Sequence, residues 1–94
     1  QIEGIRVAGF SLMKAGVKLT EHVDILGDNY QFTYHLGLKC PKGCFLHHRV
    51  LGTIEEEDGK HIFLSAKCPH WAENTSQEDR IILYIEYYAS MISV

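Results

Sequence analysis

Proline is scarce, with two in 94 residues, and there is a single tryptophan. A proline-rich extended linker is therefore excluded. No apolar stretch is long enough to cross a bilayer, since the longest, near the C-terminus, is broken by Glu86. The first residues have neither a basic nor an apolar region of the kind a signal peptide carries, so neither a membrane span nor a retained leader is expected. Charge of one sign is also missing: nine Lys and Arg stand against twelve Asp and Glu, a net charge of −3, and the cations form no stripe. Nucleic acid and anionic membrane surfaces are set aside as partners. Enzyme signatures are absent too. There is no Gly-x-Ser-x-Gly turn, no histidine pair at zinc-protease spacing and no phosphate-binding glycine loop, so the expectation is a protein that is not an enzyme.

What is present is alternation. Val17, Leu19, Glu21, Val23 and Ile25 alternate with Lys18, Thr20, His22 and Asp24. Tyr30, Phe32, Tyr34, Leu36 and Leu38 alternate with Gln31, Thr33, His35, Gly37 and Lys39. Period two with one apolar face predicts antiparallel strands that cover a core with that face and meet water with the other. Residues 26–29 supply the turn of a hairpin between them. The run from Gly4 to Met13 reads as a first strand, Phe45 to Glu55 as a fourth and His61 to Lys67 as a fifth, the last two joined through Asp58 and Gly59. Residues 69–79 read as one long polar connection. Arg80 to Ser93 reads as a final strand, because Ile and Tyr dominate it.

The whole chain, 1–94, is thus expected to be one all-β domain of six to seven strands, burying roughly two thirds of its unfolded surface. At this length the commonest solution is a small antiparallel β-sandwich of immunoglobulin-like type, although Trp71 follows all three cysteines and the antibody Cys-Trp-Cys order is missing.

If consecutive strands are antiparallel, the loops at 14–16, 40–44 and 68–80 share one end, and an acidic group of Asp28, Glu55, Glu56, Glu57 and Asp58 occupies the other. Cys40 and Cys44 flank a Pro41 to Gly43 turn and would face one another within disulfide range. Three cysteines leave an odd one, Cys68. The competing reading gathers Cys40, Cys44, Cys68 and His70 into a zinc site, with three residues rather than the usual two between the first pair. Zinc is the only cofactor this pattern suggests. His22 and His35 lie on the polar faces of their strands, where a solvated role outweighs metal binding or pH sensing. Asn74, Thr75 and Ser76 form a glycosylation triplet, which with the cysteine pair tilts localisation to the secretory pathway, the cytoplasm being the alternative.

By elimination, the sequence reads as a non-catalytic recognition domain binding a protein or glycan partner through the loop end that carries Trp71, His70, Lys42 and Lys14. The competitors are a zinc-stabilised structural module of a larger assembly and a lipid-holding sandwich.

Overall fold

The computed structural model describes residues 5–23, 31–65 and 67–88. Seven strands form: β1 (Ile5–Met13), β2 (Gln31–Lys39), β3 (Cys44–His48), β4 (Gly52–Glu55), β5 (His61–Ser65), β6 (His70–Asn74) and β7 (Arg80–Tyr88). They make two antiparallel sheets, one ordered β1-β7-β2-β5 and one ordered β4-β3-β6. The all-β, two-sheet expectation holds, and no helix long and apolar enough to cross a membrane occurs among the described residues. The expected turn at 26–29 lies outside them.

Connectivity departs from the expected string of hairpins. β1 pairs with the last strand, β7, and β2 lies between β7 and β5. An immunoglobulin-like constant domain would instead place its first two strands side by side. The run from Phe45 to Glu55 is two strands, with His48 opposite Gly52 across a turn where Gly52 takes a φ of +84° that favours glycine. The segment expected as a strand over 17–25 forms no full strand in its described part. It runs along the open edge of β6 through Leu19 N to Ala72 O (2.8 Å) and reciprocal bonds between His22 and His70 (3.0 Å each). The polar connection over 69–79 contains a strand, β6, in its first half.

The two sheets face each other over a core of Met13, Leu46, Ile62, Leu64 and Ala72, with Ile54 packed against it. Strand β2 turns the other way from the sequence expectation. Buried Thr33 and Gly37, with His35 between them, point between the sheets, while Phe32 and Tyr34 line the outer face, where Phe32 stacks on Phe63. The neighbouring strands do the same: Arg80, Ile82 and Glu86 of β7 are buried, and Phe10 on β1 is 77% exposed. The polar side of these strands is the inside of the molecule.

Gly37 fixes the link to the next element. It donates its N–H to Lys60 O and accepts at its own carbonyl from Gly59 N–H, and a Cβ built on it would lie 1.9 Å from the carbonyl oxygen of Glu57. This contact seats the 56–60 turn against β2 and carries Glu56 inward. Gly37→Ala is expected to destabilise the chain by about 1–3 kcal/mol or more, because backbone must move to admit the methyl group; chemical denaturation measures it.

Candidate active site

The space between the sheets is a cavity of about 260 Å³ whose lining includes Ser11, His22, Thr33, His35, His70, Arg80, Tyr84 and Glu86. Such a set of polar and titratable groups is unusual for the interior of so small a domain, which ordinarily buries polar side chains only with partners.

One wall carries two imidazoles. His70 opens β6, and the edge segment sets His22 directly opposite it, with ring centroids 4.5 Å apart. Each ring is held by the same device: His22 Nδ1 donates to Thr20 O and His70 Nδ1 to Cys68 O, both at 2.8 Å and both two residues upstream. A carbonyl can only accept, so in each neutral ring the proton is on Nδ1 and the lone pair on Nε2, the tautomer that metal-binding histidines adopt. His48, across the ladder from His70, is different. Its Nδ1 accepts from the N–H groups of Val50 and Leu51 and its Nε2 donates to Ser65 O, so it caps the β3–β4 turn and has no lone pair to offer.

The other wall is cationic and polar. Arg80, 3% exposed, donates from Nη1 to Glu56 Oε1 at 2.8 Å and from Nη2 to Ser11 Oγ at 3.1 Å. Glu56 Oε2 stands 3.7 Å from His35 Nδ1. Four buried polar atoms in this region have no hydrogen-bond partner: Thr33 Oγ1, His35 Nδ1, Glu56 Oε2 and Arg80 Nε. Burial by itself raises the Glu56 carboxyl, but His35 and the Arg80 guanidinium outweigh it and hold the group below the ordinary carboxylate range.

The residues singled out from the sequence are dispersed. Cys40, Cys44 and Cys68 are all free thiols, so no disulfide forms. The loop after β2 crosses from one sheet to the other instead of closing a hairpin, and Cys44 faces Asn74 rather than Cys40. The zinc constellation fails for a related reason. Cys44 and His70 pair with opposite ends of the β3–β6 ladder, which spans five residues or roughly 13 Å. Among the described residues no three of His, Cys, Asp or Glu are placed to hold a metal ion. Burial, and then the nearby Glu56 carboxylate, push the Cys40 thiol up to about 11; burial raises Cys44 as well.

Lys14 and Lys42 are exposed in turns at one end, which the 75–79 loop joins through Thr75 N to Gly43 O and Ala15 N to Asp79 Oδ1. Because β6 spans the sheet, His70 is carried away from them and into the cavity. Trp71 projects from the opposite face of β6, stacked on His47 at 3.7 Å with Lys18 Nζ 4.6 Å above it. Asn74 is no glycosylation acceptor in this fold. It is 1% exposed and its Nδ2 donates to Met13 O and Glu78 O.

Two sheets closing around a polar, histidine-bearing interior define a cupin-type β-barrel, and solved structures agree. A predicted oxalate decarboxylase from Thermotoga maritima superposes with a TM-score of 0.69 at 17% identity, covering 90% of this chain and 68% of that one. A structure from work on the DMSP lyases RdDddP and RnDddQII gives 0.73 at 16% identity, covering 96% and 42%. A cupin protein from Bacteroides fragilis gives 0.71 at 14%, covering 93% and 69%. The chain thus spans between two fifths and about seven tenths of those proteins. Residues 1–89 match the aspartyl/asparaginyl beta-hydroxylase family, and the chain belongs to it. No curated protein matches the sequence. The family assignment and the cupin-like fold overturn the reading of a non-catalytic, immunoglobulin-like recognition domain, and with it the expectation that the chain is not an enzyme.

Proposed function

We propose that the chain forms the catalytic barrel of a metal-dependent hydroxylase acting on aspartyl or asparaginyl side chains of a peptide. The observation that carries this reading is the matched pair His22 and His70, both in the lining of the cavity between the sheets, His70 buried and His22 at its exposed rim, each with Nδ1 donating to a main-chain carbonyl two residues upstream. Imidazole nitrogen suits first-row transition metals, iron, manganese and zinc among them. Two protein ligands fit the donor set, since no third side chain joins them among the described residues and open positions are what an oxygen-activating metal requires.

When bound, the metal supplies dioxygen activation, which no side chain here provides. The protein's own contribution is orientation and exclusion of water. The carbonyls of Thr20 and Cys68 hold the two rings in register, so the site is set before substrate arrives. Inserting one oxygen atom of dioxygen into a C–H bond takes two further electrons. The Arg80 wall suits an anionic organic acid as their source, because its guanidinium Nε–H is buried with no hydrogen-bond partner and Ser11 and Thr33 offer hydroxyls beside it. Met13, Leu46, Ala72 and Ile82 supply a buried apolar part of the lining, which keeps bulk water from that side of the cavity.

The experiment is product analysis. The protein loaded with Fe²⁺, in air, with a short 2-oxo acid and a pool of Asp- and Asn-containing peptides, is expected to add one oxygen atom at an Asp or Asn β-carbon, read by tandem mass spectrometry. Peptides unchanged by a metal-loaded, folded protein would remove the reading.

A further inference from the structure

Glu56 is the most deeply buried carboxylate among the described residues, at 2% exposure, and the cavity lining does not include it. It stands behind two residues that the lining does include. Its Oε1 takes the Nη1 of Arg80 at 2.8 Å, and its Oε2 faces the Nδ1 of His35 at 3.7 Å. Neither Oε2 nor that Nδ1 has any hydrogen-bond partner. The two orphaned atoms oppose each other across a gap that a movement of less than about 1 Å turns into a hydrogen bond. Bonds of this kind are often long before a ligand arrives and tighten when it does.

We infer that Glu56 is a positioning residue for the acid-binding wall, holding Arg80 through Nη1 and the His35 ring by Nδ1 so that the Arg80 Nε–H is presented to a carboxylate in the cavity. The inference rests on the reading that the Arg80 wall takes an anionic co-reactant. Three features favour positioning over simple charge balance. The carboxylate reaches two lining residues rather than one. It leaves the Arg80 Nε–H without a partner, open to a second carboxylate. It is delivered by the 56–60 turn, which the close contact at Gly37 fixes against β2. A carboxylate serving only to neutralise Arg80 has no reason to aim its second oxygen at an imidazole.

The test uses succinate as a binding probe and Mn²⁺ as the metal, by titration calorimetry on the full chain. Glu56→Gln keeps the shape and one acceptor for Arg80 but loses the charge that grips His35 and Arg80 together. It is expected to weaken succinate at least about 10-fold while leaving Mn²⁺ affinity within twofold, because His22 and His70 are held by other groups. A folded Glu56→Gln variant that binds succinate as tightly as the parent would overturn the inference. A parent chain that binds Mn²⁺ but no succinate would overturn the acid-wall reading and the positioning role with it. A readout on the parent alone covers a variant that does not fold. Imidazole ¹⁵N correlation spectra with succinate bound should show the His35 proton on Nδ1, coupled to Glu56, and a neutral ring protonated only on Nε2 contradicts the assignment.

Discussion

His70→Ala and His22→Ala are each expected to lose metal affinity by at least about 100-fold, since removing a ligand costs more than the 10- to 100-fold typical of its outer partners. Turnover in the hydroxylation assay should fall to background in both. The lost bond from each Nδ1 to its carbonyl should itself cost about 1 kcal/mol of stability. His48→Asn separates this site from a merely histidine-rich neighbourhood. His48 is close to His70, but both its nitrogens are engaged by the β3–β4 turn and Ser65, so the variant should retain metal affinity. Titration calorimetry with Mn²⁺ on the three variants reads the difference, and loss of metal on replacing His48 alone would contradict the assignment.

Removing Arg80 should instead strike the fold. Arg80 and Glu56 are 3% and 2% exposed, and Arg80→Met leaves the carboxylate buried without its ion pair. Such a break costs about 3–5 kcal/mol. At about 0.05–0.15 kcal/mol per residue a chain of 94 residues has only roughly 5–14 kcal/mol in total, so much of the stability goes. Replacing both partners, Arg80→Met with Glu56→Leu, is expected to restore most of it, because an apolar pair of similar volume carries no desolvation penalty. The pH dependence has a definite sign. The Glu56 carboxyl is held below its ordinary value in the folded chain. Its contribution is therefore fully present above the unfolded carboxyl range, about pH 4.3, and is lost as pH falls from there through the lower folded value. The double variant should show a shallower acid transition than the parent, measured by urea denaturation at a series of pH values.

The strands were largely legible in the sequence, because alternation over β2 survives whichever face is buried and the Ile and Tyr content of β7 suits a pleated surface. What alternation does not carry is direction. In β2 the series of Phe32, Tyr34 and Leu36 reads as the core side on hydrophobicity alone, yet Thr33, His35 and Gly37 face the interior, because this barrel keeps its polar groups around a cavity. That inversion assigned His35 to solvent, whereas His22, off this strand, is indeed exposed and lies at the rim of the cavity. Glu56 was assigned to an acidic exposed end for a different reason: the turn that buries it depends on the absence of a side chain at Gly37, far away in sequence. Pairing of β1 with β7 is also non-local, and no turn signal announces it. Strand β6 was hidden because its inward residues are His70, Ala72 and Asn74, two of them polar. His70 was named among the candidates, but with the wrong companions. Its partner is His22, brought opposite by main-chain bonds that only the folded edge provides.

X-ray absorption at the metal edge of the loaded protein tests the central claim most directly. The account predicts a first shell with two imidazole nitrogens, oxygen in the remaining positions and no sulfur, both imidazole signals being lost together in the His22→Ala, His70→Ala double variant. A thiolate ligand in the shell, or two imidazoles that persist in that variant, would contradict it.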